Sequence, residues 1–248
     1  AQLDHPSVVR VRGFFNANDT AYMVMDYYDG MTLDAYFEQV KPVLEPMVAS
    51  SLMQLVLDGL DYVHQHGVIH RDLKPHNIYI AAIGKPIILD FGAARHAVAG
   101  LKSISVVLTE GYAPLEQYQR HGGQGPWTDI YGVGATLYRM ITGRGPPVAL
   151  DRLHRDQLEV DGYAGLPDVL VPIMRKALAL KPEDRYQSAS AFKLALAIAM
   201  GPATSTAPMP RSAAVVSKLS QEEPSKTPLT HELLRDTTRR HTHLPDAV

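Results

Sequence analysis

The sequence predicts an α+β fold in three stretches: a small strand piece, a mainly helical body and a polar tail. Three observations predict it. Residues 8–25 hold β-branched and aromatic runs split by a turn, helical spacing of apolar residues recurs between 32 and 200, and composition changes after Gly201.

Val8 to Phe15 reads as a strand, Asn16-Ala17-Asn18-Asp19 as a turn, and Ala21 to Met25 as a second strand. Asp29-Gly30 breaks it, and Thr32 is placed to cap a short helix carrying Leu33, Tyr36 and Phe37 on one face. Pro46 to Gln65 keeps Val48, Leu52, Leu55, Val56, Leu60 and Val63 at near-helical spacing, and Gly67 suits a left-handed stop. Ile78–Ala82 and Pro86–Leu89, parted by Gly84-Lys85, read as a hairpin. Residues 93–111 lack periodicity and carry hydroxyls, which predicts a mobile loop. Tyr131–Ile141 is almost wholly apolar or small, so its helix should be buried on most sides. Leu170–Leu180 and Ala189–Met200 predict two further helices, the second gathering Phe192, Ala195, Leu196 and Ala199. Residues 201–248 are too polar and proline-rich to offset chain entropy, so a mostly disordered tail is expected, with Leu229–Arg240 a transient helix.

Composition excludes several classes. The 248 residues are 46% hydrophobic, enough for one substantial core. A formal charge of −2 and a pI near 6.6 argue against a nucleic-acid partner. With no cysteine there is no disulfide framework and no thiolate zinc site, which fits a reducing, cytoplasmic setting. No stretch approaches the roughly 18 apolar residues that would span a bilayer.

The chemistry concentrates in His70-Arg71-Asp72-Leu73-Lys74-Pro75-His76-Asn77, followed across the predicted hairpin by Asp90-Phe91-Gly92. Phosphoryl transfer asks little covalent chemistry of a protein. It asks for a carboxylate near the incoming hydroxyl, oxygen ligands for metal-bound phosphates, and positive charge on the moving group. The cluster holds all three in the order of a known signature.

Further segments agree. His5-Pro6 precedes an apolar strand, Met25-Asp26-Tyr27-Tyr28 follows one, Gly111-Tyr112-Ala113-Pro114-Leu115-Glu116 lies beyond the loop, and Asp129-Ile130-Tyr131-Gly132-Val133-Gly134 opens a buried helix. Together they resemble a Ser/Thr protein kinase of the eukaryotic-like kind found in bacteria, over residues 3–200. The resemblance implies a protein-kinase-like fold: a mainly helical large lobe with a residual two-strand piece of the small lobe. It divides the chain into a small-lobe remnant with hinge (1–28), a large lobe (29–200) and a tail (201–248).

The resemblance also implies roles. Asp72 would accept or orient the substrate hydroxyl's proton, Lys74 would hold the γ-phosphate and mark Ser/Thr specificity, and Asn77 with Asp90 would ligate Mg²⁺ or Mn²⁺. ATP would lie against Met25, in the gatekeeper place, with backbone near Asp26 and Tyr28 on its adenine edge and Tyr79 beneath it. A plain core role for Met25 and Tyr79 remains open. Arg71 implies control through a loop phosphate, with Ser103 and Ser105 as acceptors and Thr109 as the residue contacting Asp72 and substrate. His70, Phe91, Glu116, Asp129 and Arg185 are read as structural, Glu116 and Arg185 forming a buried ion pair. The implied partners are ATP and protein substrates.

One departure stands out. A kinase small lobe opens with a Gly-rich loop, a strand lysine and a helix glutamate, and no residue here takes any of these roles. The sequence therefore reads as an amino-terminally truncated kinase, weak or inactive as it stands. A noncatalytic, pseudokinase-like binding or scaffold module is the alternative.

Overall fold

The computed structural model describes residues 3–18, 20–90, 109–119 and 122–202, all within one unit, Ala1–Pro210. The expectations for the 93–108 loop, the 203–248 tail, Phe91, Ser103 and Ser105 fall outside the described residues.

Strands β1 (Val11–Ala17) and β2 (Thr20–Met25) pair antiparallel, Phe14 facing Met23 and Ala17 facing Thr20. β1 runs on through Asn16 and Ala17, which the sequence assigned to the turn, and Asn18 follows at φ 50°. Val8 and Val9 do not extend β1. They are buried beside Ile88: Val9 donates its N–H to the Ile88 carbonyl at 2.9 Å, and Ile88 donates to the Ser7 carbonyl at 2.8 Å.

A third strand was not expected. β3 (Gly30–Thr32) pairs with β4 (Ile78–Ala81), which pairs with β5 (Pro86–Ile88). Gly30 looked like a breaker, yet it is what the pairing requires. Its φ is 149°, and a Cβ there would lie 2.1 Å from the Ile80 carbonyl oxygen.

Helix α1 (Leu33–Gln39) is capped as predicted, Thr32 Oγ1 accepting the Ala35 N–H at 3.2 Å. Helix α2 (Pro46–Gln65) starts on a proline, whose missing N–H costs nothing in the first turn. Leu52, Val56, Leu60 and Val63 are fully buried, each worth roughly 1.5–3 kcal/mol in transfer terms. Gly67 follows at φ 72°. Helix α3 (Leu115–Tyr118) is a single turn.

Helix α4 (Pro126–Thr142) is the axis of the body, buried from Thr128 to Tyr138 and again at Met140 and Ile141. Gly132 lets it approach the 70–77 segment closely: a Cβ would meet the Leu73 carbonyl oxygen at 2.7 Å. Helix α5 (Val171–Ala177) stops short of the predicted Leu180 because the Ala179 and Leu180 carbonyls turn instead to the Arg185 guanidinium, at 2.7 and 2.9 Å. Helix α6 (Ala189–Met200) keeps its predicted limits. Ser188 Oγ accepts the Ala191 N–H at 3.1 Å, and the Phe192 ring stacks 5.0 Å from Tyr186. The main core joins α1, α2, α4, α5 and α6, with β4 and β5 laid on its edge. Among the described residues, no helix is long and apolar enough to cross a membrane.

Candidate active site

The site is a backbone loop held from below. Arg71 sits at φ 71°, a conformation a non-glycine residue adopts only when its surroundings impose it. Asp129 imposes it. On the first turn of α4, where the helix dipole favours an anion, its buried carboxylate accepts the His70 N–H at 2.9 Å and the Arg71 N–H at 2.7 Å. His64, from the last turn of α2, brings Nε2 within 2.7 Å of the same carboxylate.

The buried His70 ring carries the next contacts. Nε2 donates to the Leu89 carbonyl at 2.7 Å, so Nδ1 is the nitrogen that accepts the Asp72 N–H at 3.3 Å. Leu89 in turn donates its N–H to the Asn77 carbonyl at 2.8 Å. Asp90, next in the chain at φ 49°, is thus fixed beside the 70–77 loop by two backbone contacts of its neighbour.

Above this floor three polar side chains converge. Lys74 Nζ stands 2.9 Å from Asp72 Oδ2 and donates to Thr109 Oγ1 at 2.8 Å. The buried Asn77 gives its amide N–H groups to the Asp72 carbonyl and to Asp72 Oδ2, at 2.8 and 2.9 Å. Asn77 Oδ1 is thereby turned away as an acceptor. With Asp90 nearby, the donor set is neutral and anionic oxygen, which suits a hard divalent cation sharing its shell with phosphates. Next along the chain from Thr109, Glu110 and Gly111 line a cleft of about 420 Å³ together with residues 144–148.

Glu116 and Arg185 form the expected ion pair, bidentate at 2.7 and 3.0 Å and almost fully buried. All five guanidinium N–H groups are used, the rest going to the Ala179, Leu180 and Trp127 carbonyls. That full satisfaction is what makes a buried charge tolerable.

The adenine-side residues are placed less closely. Met25 ends β2 and is 41% exposed. Asp26 pairs with Arg12, whose guanidinium holds its carboxyl below the usual range, and its N–H donates to the Arg10 carbonyl at 3.0 Å. Tyr79, on β4, donates its hydroxyl to the Tyr28 carbonyl at 2.9 Å. Two backbone groups expected to face a purine are therefore engaged within the protein.

Sequence reasoning missed His64, Gln117 and Arg152. Gln117 donates to the Arg71 carbonyl at 2.6 Å, tying α3 to the loop. Arg152 is buried, bonding Asp156 at 2.9 and 2.8 Å, the Tyr131 hydroxyl at 3.2 Å and the Leu178 carbonyl at 2.8 Å. The one sequence signal was the Arg152/Asp156 spacing of four.

A sequence profile of the protein kinase domain matches residues 1–235. The chain belongs to the protein kinase domain family. Kinase-domain relatives include the serine/threonine-protein kinases PrkC of Bacillus subtilis (strain 168), 32% identical over 76% of this chain, and PknB of Mycobacterium leprae (strain TN), 34% identical over 78%. PkaA of Streptomyces coelicolor is 36% identical over 74%. The chain spans about a third of the length of these curated relatives, 30%, 33% and 35% respectively. Among solved structures, the apo form of PpkA-294 superposes with a TM-score of 0.66 at 37% identity, covering 78% of this chain and 69% of that one. The Mycobacterium tuberculosis PknI kinase domain, at 24% identity and a TM-score of 0.61 over 80% of this chain and 74% of that one, shares the fold. Members of this family use ATP and a divalent metal, and act on proteins.

Proposed function

We propose that this kinase domain transfers the γ-phosphoryl group of ATP to serine and threonine hydroxyls of proteins. One observation carries the reading: Lys74 bridges the Asp72 carboxylate and the Thr109 hydroxyl while Asn77 holds the same carboxylate. A substrate hydroxyl arriving beside Thr109 would meet Asp72 as proton acceptor. Its oxygen forms the new bond to γ-phosphorus, the bond to the β-phosphate oxygen breaks, ADP leaves, and the proton passes to Asp72. Lys74 places positive charge on the moving phosphoryl. Mg²⁺ or Mn²⁺, held by Asn77 Oδ1 and Asp90 together with phosphate oxygens, would neutralise charge on the nucleotide.

In this reading residues 1–28 are small lobe and linker, 29–200 the large lobe, and protein substrate lies along the cleft lined by Glu110 and Gly111. The chain's use of ATP and its cysteine-free composition suit the cytoplasm. Arg71 is the seat for a loop phosphate, since its buried Nε has no hydrogen-bond partner among the described residues. Phosphopeptide mapping of active protein should find phosphate on Ser103 or Ser105, and finding both bare would remove this regulatory role.

Residues 1–248 include no residue assignable to a Gly-rich loop or a strand lysine. Losing one preorganised electrostatic donor costs about 10²–10³ in rate, so residues 1–248 alone should transfer slowly. Long incubation with radiolabelled ATP and a protein acceptor should label serine and threonine at a low level, and Asp72→Asn should abolish the label. Equal label in the Asp72→Asn variant would contradict the proposal.

A further inference from the structure

We propose that Tyr79 is a specificity-determining residue of the nucleotide cleft: its hydroxyl occupies the Tyr28 carbonyl, an acceptor that a purine's exocyclic amine would otherwise reach. The inference rests on the nucleotide reading above.

Three observations support it. Tyr79 is fixed at the centre of the β3-β4-β5 sheet, opposite Thr32 on one side and Ile87 on the other, so its ring has little freedom to withdraw. Its hydroxyl meets the Tyr28 carbonyl oxygen at 2.9 Å. Tyr28, Tyr79 and Leu89 pack together on the small apolar cluster of Val9, Ala81 and Ile87, which joins the 26–28 linker to the strand leading into Asp90.

A linker following a strand recognises a flat heterocycle through backbone donors and acceptors. Here the Asp26 N–H already serves the Arg10 carbonyl and the Tyr28 oxygen already serves Tyr79. A carbonyl oxygen has two lone pairs, so the second remains, and the expected discrimination is a few-fold effect rather than an absolute one.

The test pairs wild type with Tyr79→Phe, which keeps the ring and its packing. The first readout needs no ligand. Tyr28–Asp29 is the only Tyr–Asp step in the sequence, so labelling tyrosine carbonyls with ¹³C and aspartate nitrogens with ¹⁵N isolates the Tyr28 carbonyl resonance. Removing the hydroxyl should shift that resonance upfield, and an unchanged resonance would overturn the inference. The second readout is calorimetric affinity for purine riboside triphosphate, ATP, GTP and the 2,6-diaminopurine triphosphate, each with Mg²⁺. Relative to the amine-free purine, at least one amine-bearing nucleotide should gain about fivefold in Tyr79→Phe, the worth of one hydrogen bond. Unchanged ratios would overturn the specificity role. If no nucleotide bound wild type, the nucleotide reading would fail and the role with it, while a carbonyl shift would leave the Tyr79–Tyr28 contact as purely structural.

Discussion

Asp129 shows how a single buried carboxylate shapes the site. It lies 59 residues from His70 in the chain, yet its two oxygens take two consecutive N–H groups and so hold Arg71 in a left-handed conformation. Arg152 and Asp156 do similar work for the 151–162 segment. Burial alone would raise the Asp156 carboxyl, but hydrogen bonds and charge from Arg152, with the Leu158 and Glu159 N–H groups, outweigh it and set the folded value below the usual 3.8. A carboxyl that holds its proton less tightly when folded contributes stability in full above the unfolded value. That contribution declines as pH falls through the lower folded value. Asp156→Asn should therefore destabilise the protein by about 1.5–3 kcal/mol at pH 7 in urea titrations, the range for a hydrogen bond to a charged group. Below about pH 4 the difference from wild type should shrink toward zero. A constant difference across that range would show that the pairing is not what the substitution removes.

The side chains of the 70–77 motif were legible because their spacing is local, and the structure brings Asp72, Lys74 and Asn77 within direct contact. His64 and Gln117 were not, because their partners are set by how α2 and α3 pack against the loop. No local pattern encodes a contact 65 residues away.

At the level of elements, the long helices were read well because a buried helix writes its own periodicity. The limits of α2 and α6 coincide with expectation, and α4 begins five residues before the predicted Tyr131. β3 was missed for the opposite reason: three residues carry no period, and its glycine serves a close approach that only tertiary packing reveals. The β1–β2 hairpin differs in kind from the rest. Phe14, Phe15, Tyr22, Val24 and Met25 are all exposed, and Phe15 and Tyr22 stack on each other at 5.1 Å. A two-stranded sheet with both faces open gains little from burial. Amide hydrogen exchange should find residues 10–25 much less protected than α2. Equal protection would mean that the hairpin is covered in solution.

The whole molecule is a set of supports converging on one loop. α4 supplies Asp129 and Gly132, α2 supplies His64, α3 supplies Gln117, and the β4–β5 hairpin delivers Asn77 and Asp90 from its two ends. The kinase-domain fold was legible at this scale because the motifs keep family order over most of the chain. The adenine side was read less fully, since which backbone groups are spent internally depends on Tyr79 and Arg10.

The central claim, that these supports gather one metal–nucleotide cleft, is tested most directly with Mn²⁺–ATP titrated into ¹⁵N-labelled protein. The paramagnetic ion should broaden the amides of residues 70–77 and 88–90 first, and Asp90→Asn should weaken that broadening severalfold. Broadening centred elsewhere, or unaltered in Asp90→Asn, would contradict it.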